Sequence, residues 1–448
     1  MRPLTARVTI ELTVFHPFAH QGRNAVGATQ TSELTEVLQT RAIRCVYQPV
    51  VDLETRQVVA REALMRGPAG TAMESPVALL DAASTDEELA TLDRLAHTVA
   101  LRAMAEHPDG HGKALFLNFE PRGIGQDLAP DISRPWEKAR EAALASGLDV
   151  VIELTERALL ADPGVMLWSI ASMRELGARI ALDDVGAEPE SLAFLPIVRP
   201  DIVKLDLRLV REHGSLEIAE ISNAVRAYAE ESGAAVVAEG VETEHDHDIA
   251  LSLGATLGQG WLYGRPGPLP AELAACPPLP RVRALPDLPG ETPFEVVAGV
   301  RTTRRGPKGL LLPLSRSLEE ASQALSIPPV LLGCFQQAKY FTPYTATRYA
   351  RLAHRLPLVG ALGTHMPAEP APGVRGAALA SQDALTGEWN VIVLGAHYAA
   401  ALVALDHGNL QVQEAERPFD YVVTHDRSLV VATAQTLVRR LLRTQAQR

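Results

Sequence analysis

The stretch "VVAREALMRGP", residues 58–68, decides how the rest of the chain is read. Val58-Val59-Ala60 is an apolar run fit for a buried strand. It meets a charged step, Arg61-Glu62, continues through Ala63-Leu64, and reaches Arg66 just before Gly67-Pro68. An acid where a buried strand is ending has two readings. The plain one is a strand edge reaching water. The sharper one is a ligand for positive charge at the mouth of a barrel or sheet.

The same unit recurs along the chain. Strand-like runs stand at "RCVYQPVVDL" (44–53), "VVAREALMR" (58–66), "ALFLNFEP" (114–121), "VVIELTE" (150–156), "RIALDDVG" (179–186), "DIVKLDL" (201–207), "AAVVAEGVE" (234–242) and "LGQGWLYG" (257–264). Segments such as 86–106, 163–177 and 217–233 place apolar residues at helical spacing between them. Near-continuous apolar strands alternating with helices imply a mostly parallel sheet. About eight such units in about 240 residues match a TIM-type barrel. A doubly wound open sheet is the other candidate, but "GQGWLYG" lacks the GxGxxG spacing and comes at the end of the region.

Composition bounds the rest. The 448 residues suffice for two or three domains, and 47% are hydrophobic, enough for a sizeable core. A net charge of −12 argues against a surface that coats nucleic acid, so no DNA partner is expected. Cys45, Cys276 and Cys334 are far apart and form no CxxC, which disfavours a disulfide framework or zinc cluster and suits a reducing cytoplasm. No apolar run reaches a membrane span. Glu11 and His16 interrupt the apolar start, against a secretory signal, and residues 1–30 are expected to form a loosely ordered extension. "SELTEVLQTR" (32–41) reads as a helix with Ser32 as its N-cap. The barrel then occupies 31–275. Prolines cluster in "CPPLPRVRALPDLPGETP", so 276–293 reads as a semi-rigid linker. Residues 294–448 read as a smaller α/β unit with strands near 329–337, 356–363, 376–381, 389–395 and 399–407.

Polar residues of the first region share one address. Glu62, Asn118, Glu153, the pair Asp183-Asp184, Lys204, Glu239 and Gln259 all stand where a strand-like run is ending. For a single such acid a helix cap or solvated edge is the better reading. In a βα barrel, however, strand C-termini converge on one face, where active sites lie. Crowded carboxylates raise each other's pKa unless cations offset them. Carboxylate and amide oxygens suit Mg²⁺, Mn²⁺ or Ca²⁺, and the absence of His and Cys disfavours zinc. The adjacent Asp183-Asp184 can hold two ions, as in two-metal phosphodiester hydrolysis. Glu62 is then the first ligand, delivered by the strand that ends there.

Glu62-Ala63-Leu64 spells the EAL signature, and "YQPVVDL", "EALMR", "LNFEP", "ELTE", "DDVG", "VKLDL", "AEGVE" and "GQGWLYGRP" follow in that family's order over about 32–270. The region resembles the EAL domain. That resemblance implies a TIM-like barrel that hydrolyses cyclic di-GMP to linear pGpG with two Mg²⁺ or Mn²⁺ ions and is inhibited by Ca²⁺. It also implies roles. Glu62, Asn118, Glu153 and Asp183 would ligate one metal, with Asp183 bridging to a second completed by Asp184. Glu239 would act as the base-like acid, Lys204 would orient the water, and Gln259 would support the site. Gln48, Leu64 and Arg66 would bind substrate, and Glu156 would anchor the loop after "DDVG". A homodimer through the barrel is implied as well.

The loop departs from the family pattern. In "DDVGAEPESL" (183–192), Val185 replaces Phe, Glu188 replaces Gly and Pro189 replaces an aromatic residue. A stiffer, more acidic loop keeps a second reading open: a weakly active or non-hydrolytic cyclic di-GMP receptor or scaffold. Residues 294–448 resemble the DICT sensory domain in "VLLGCFQQAKYFTPYTATRYARLA", "LVGALG" and "WNVIVLGAHYAAALVALD", which implies control by an unknown effector or protein partner. "HDHD" (245–248) reads as the solvated face of a helix start rather than a metal motif.

Overall fold

The structure is a computed structural model that describes residues 28–443 except 124, 125, 127, 213, 285–287, 289 and 409–411. The expected N-terminal extension, through residue 27, lies outside the described residues. Eight strands close in chain order into a barrel: β1 (Arg44–Asp52), β2 (Val58–Arg66), β3 (Ala114–Asn118), β4 (Asp149–Thr155), β5 (Arg179–Val185), β6 (Ile202–Leu205), β7 (Ala235–Ala238) and β8 (Leu257–Gln259). All eight expected runs are strands. No helix among the described residues is long and apolar enough to cross a membrane.

One expectation fails at the start of the barrel. No helix separates β1 from β2, only residues 53–57. A parallel crossover needs about a dozen residues, so these neighbours run antiparallel. Asp52 makes the turn: its Oδ1 accepts from Thr55 N at 2.7 Å and Thr55 Oγ1 at 2.8 Å. Arg56 closes it in the left-handed region at φ +58°.

Packing divides the chain into two compact units. The first comprises Met1–Val50, Gln57–Thr155 and Gly264–Pro278. Here β2, β3 and β4 pair in parallel, with Asn118 opposite Glu153. β3 is apolar on both faces because both are covered. Helix Asp86–Glu106 starts at a capping box, in which Thr85 Oγ1 accepts from Glu88 N and Glu88 Oε2 accepts from Thr85 N. It buries Leu89, Leu92 and Leu95 with Leu34 and Leu79. The first helix runs Ala28–Thr40, so Ser32 lies inside it and is not its cap. Residues 28–31 hold no helix breaker, and the helix extends through them.

The second unit comprises Val51–Arg56, Glu156–Tyr263 and Leu279–Arg448. β5 to β8 pair in parallel. Helix Leu216–Ser232 is capped by Ser215 and ends at Gly233, φ +79°, where a side chain would be strained. The proline-rich segment is pinned at its start. Leu279 is buried, Arg179 Nη2 donates to Pro280 O, and Arg283 N donates to Ser232 O at 2.6 Å.

Beyond it lies a seven-stranded sheet of β9 (Arg304–Pro307), β10 (Val330–Gln337), β11 (Val359–Thr364), β12 (Arg375–Ala378), β13 (Glu388–Leu394), β14 (Ala399–Asp406) and β15 (Pro418–Thr424). Its order is β12-β11-β10-β13-β14-β15-β9. β10, β11 and β12 pair in parallel, and the remaining pairs are antiparallel. β9 and β15 are additions to the expected strands. β9 is a mostly exposed edge and β15 alternates, so neither makes an apolar run. The core holds Leu331, Val391, Val393, Leu402 and Phe419. A trio of Phe335, Phe341 and Tyr349 adds edge-to-face contacts with centroids 5.0–5.4 Å apart.

Candidate active site

Each half of the barrel delivers polar side chains from its strands, but Glu62 departs from the expected strand end: β2 does not stop there and runs on to Arg66, so Glu62 projects from mid-strand. In the first unit, Glu62 on β2 is buried and accepts from Asn118 Nδ2 at 2.7 Å. Asn118 ends β3, directly beside Glu153 of β4, which is 2% exposed. Asn118 is also held from behind. His97 Nε2 lies 2.7 Å from Asn118 O, and because a carbonyl only accepts, that nitrogen carries the hydrogen. Burial pushes His97 down to about 4, so its ring is neutral. Nearby, Asp93 accepts from Glu120 N at 2.7 Å, and burial pushes its carboxyl up to about 7. Neither His97 nor Asp93 was marked by the sequence, because both hide in the repeating pattern of helix Asp86–Glu106.

In the second unit, Asp183, Asp184 and Glu239 each bring a carboxylate oxygen within 4.8 Å of the other two. Asp184 reaches this position with φ +57°, a strained conformation for a residue with a side chain. Burial, then the charge of Asp183, pushes the Asp184 carboxyl up to about 7. Lys204 on β6 is 1% exposed, and its Nζ lies 3.1 Å from Asp183 Oδ1 and 2.8 Å from Glu239 Oε1. Gln259 ends β8 with its side chain buried, and its backbone carbonyl accepts from Val241 N at 3.1 Å.

The loop after Asp184 is tightly held. Glu156, fully buried, accepts from Gly186 N at 3.0 Å, from Ser191 Oγ at 2.6 Å and from Glu188 N. Arg208 Nη2 closes the other side by donating to Gly186 O at 2.6 Å. Gly186 sits at φ +105°, where an added Cβ would meet Leu209 and Ile221. Of the replaced positions, Val185 is fully buried and Glu188 faces Arg157 at 3.7 Å. Pro189 opens a short 3₁₀ turn, Pro189–Phe194.

The three expected substrate contacts occupy different surroundings. Gln48 is half-buried and donates to Gly264 O at 3.2 Å. Arg66 is half-buried and donates to Met65 O at 2.8 Å. Leu64 is buried and lines a small cavity with Cys45, Asp93 and His97. In "HDHD", Asp246 belongs to the capping box of helix Glu244–Leu253. His247 corrects the expectation of a solvated face: it is buried, with Nδ1 2.8 Å from Tyr263 Oη.

The family model of the EAL domain matches residues 31–266. The chain belongs to the EAL domain family. A second model, described as "Sensory domain in DIguanylate Cyclases and Two-component system", matches residues 300–407. The EAL region is similar to the probable cyclic di-GMP phosphodiesterase PdeB of Escherichia coli, 28% identical over 52% of this chain and 44% of the relative. It is similar also to the cyclic di-GMP phosphodiesterase PA2567 of Pseudomonas aeruginosa, 29% identical over 53% of this chain and 41% of the relative. The chain thus spans less than half the length of these relatives. Among solved structures, the manganese and cyclic di-GMP complex of Klebsiella pneumoniae BlrP1 aligns at 30% identity and a TM-score of 0.44, over 50% of this chain and 56% of that one.

A divalent cation suits the donors of this EAL barrel. The cluster of Asp183, Asp184 and Glu239 is all oxygen, close-set and partly buried. Mutual repulsion there is offset only in part by Lys204. Hard oxygen donors of this kind prefer Mg²⁺, Mn²⁺ or Ca²⁺ to softer metals.

Proposed function

We propose that this chain hydrolyses one phosphodiester bond of cyclic di-GMP to give linear pGpG. The observation that carries the reading is the group of Asp183, Asp184 and Glu239 around the buried ammonium of Lys204 in a member of the EAL family. The named activities of its relatives support the substrate. In this reading Glu62, Asn118, Glu153, Asp183 and Asp184 hold two ions, Mg²⁺ or Mn²⁺. Such ions, when bound, supply positive charge opposite the phosphates and make a bound water more acidic.

The chain's own groups do the rest. Lys204 fixes the position of the water and offsets the repulsion between Asp183 and Glu239. Glu239 takes the proton as the water attacks phosphorus, the P–O3′ bond breaks, and the leaving 3′ oxygen takes a proton from solvent. Gln259 supports Glu239 through the adjoining strand end. Gln48, Leu64 and Arg66 hold the guanine and phosphate portions, the guanidinium by paired hydrogen bonds to a phosphate. Glu156 keeps the loop 186–191 ordered beside Asp184. A dimer formed through the barrel, a barrel of 31–275 with a linker of 276–293, and control of turnover by the DICT region 294–448 belong to the same proposal.

The deciding experiment incubates the purified chain with cyclic di-GMP and Mg²⁺ or Mn²⁺ and resolves the products. Formation of pGpG that is lost in EDTA and in Asp183→Ala is the expected result. Binding without turnover would instead support a receptor, the reading favoured by the altered positions Val185, Glu188 and Pro189.

A further inference from the structure

The DICT region holds a cavity of about 510 Å³ against β10 and helices Lys308–Ala324 and Pro343–Ala353. That is the size of a small-molecule site. Its walls are aromatic, supplied by Phe335, Tyr340, Tyr344 and Trp389. Phe335 and Trp389 are nearly buried, whereas Tyr344 is 66% exposed. The guanidinium carbons of Arg316 and Arg348 lie 5.6 and 5.4 Å from the Tyr344 ring centre. An exposed aromatic face flanked by two cations is a suitable one on which to stack a flat, negatively charged ring.

The charges are unequal. Lys308 pairs with Glu414, and Arg348 Nε lies 2.6 Å from Glu319 Oε2. Arg316 is the third cation of the lining, which formally leaves one positive charge in excess: three cations less two acids. The wall is also built at a cost. Gln336, another lining residue, sits at φ +61° where the pairing of β10 with β11 shifts register. Its amide is secured by donation to Asp406 Oδ2 at 3.0 Å. Such strain persists where surrounding contacts enforce it, often beside binding sites.

We propose that this cavity binds a small planar aromatic molecule carrying one negative charge, an aromatic carboxylate. The ring stacks on Tyr344 and meets Trp389, and the carboxylate takes paired hydrogen bonds from Arg316. The assignment does not depend on the phosphodiesterase reading, since no residue of the barrel takes part.

Isothermal titration of the full chain with indole-3-acetate and 2-naphthoate tests it. Indole-3-acetamide keeps the ring without the charge, and acetate keeps the charge without the ring. Saturable binding of at least one aromatic acid is expected. The amide should bind about tenfold more weakly, the loss of one charge-assisted contact, and acetate should give no signal. Arg316→Ala should bring the acid down to the level of the amide. Tyr344→Ala, at an exposed position and with its fold checked by circular dichroism, should abolish both. Equal affinity for acid and amide, undiminished binding in Tyr344→Ala, or no binding of either acid would overturn the proposal.

Discussion

The ammonium of Lys204 lies 2.8 Å from Glu239 Oε1 and 3.1 Å from Asp183 Oδ1, shielded from solvent by the barrel half around it. A buried cation between acids loses hydration but cancels their repulsion, so removing it leaves uncompensated charge. Lys204→Met is expected to lose turnover and, in EDTA, about 3–5 kcal/mol of stability. Mn²⁺ should return part of that loss. Thermal unfolding with and without the metal checks both statements, and a variant melting like the parent in EDTA would contradict them.

Glu239→Gln isolates the proton acceptor. The amide is nearly the size of the acid but takes up no proton. Turnover should fall by about 10²–10⁴-fold, the usual worth of a general base, with cyclic di-GMP affinity changed only a few-fold. Product formation and equilibrium dialysis on the same preparation separate the two quantities. Parent-like turnover would move the base to another residue.

The loop beside Asp184 hangs on Glu156, which accepts from Gly186 N, Glu188 N and Ser191 Oγ. Glu156→Ala leaves three donors without this acceptor, each costing about 1–3 kcal/mol where burial is complete. Residues 186–191 should then become open to limited proteolysis and turnover should drop. Glu156→Gln retains one acceptor oxygen and should fall between parent and Ala. Equal resistance in all three proteins would remove the anchoring role.

Much of this arrangement was legible because apolar runs stop at polar letters. Asn118, Glu153, Asp183, Lys204 and Glu239 could be placed at or near strand ends by that pattern alone, whereas Glu62 could not, because the charged step at Arg61-Glu62 interrupts the apolar run without ending β2, which continues to Arg66. The hairpin of β1 and β2 was not, since its left-handed residue is Arg56 instead of the Gly or Asn that announces such a turn. The strained φ of Asp184 carries no sequence signal either. His97 and Asp93 occupy buried positions of a helix whose spacing reads as ordinary core. Edge strand β9, "RRGP", has one buried residue and so no apolar run to find.

Asp93 carries a pH prediction. Burial raises its carboxyl to about 7 in the folded chain against an ordinary value near 3.8. A raised acid favours the folded state below its unfolded value, and that contribution is lost as pH rises through the folded value. Asn at this position keeps an oxygen for Glu120 N but cannot ionise. Between about pH 4 and 7, from the unfolded value to the folded one, the parent should therefore lose stability relative to Asp93→Asn, and the gap should level off above that. Melting curves of both proteins across that range give the difference, and a gap that stays constant would show that Asp93 does not titrate there.

Within the second unit, the DICT sheet and the later half of the barrel are joined by ion pairs. Arg375 Nη1 lies 3.0 Å from Asp162 Oδ1, and Arg427 Nε lies 3.2 Å from Glu231 Oε2. Asp162 follows the short helix Glu156–Ala161 that begins with the loop anchor. A cavity of about 430 Å³ brings Pro189 and Glu190 of that loop to the same surface as His354 and Arg355 of the DICT region. The loop thus faces the DICT region across this cavity, and the helix that holds it is followed by Asp162, which pairs with Arg375. Partly exposed ion pairs add only about 0–1 kcal/mol each to stability, so losing both should barely move the melting temperature. If they transmit orientation, Arg375→Ala combined with Arg427→Ala should change the turnover number several-fold while leaving metal affinity alone. Steady-state rates of the full chain and the double variant, taken at matched Mn²⁺ and protein concentration, decide it; equal rates would reduce these contacts to tethers.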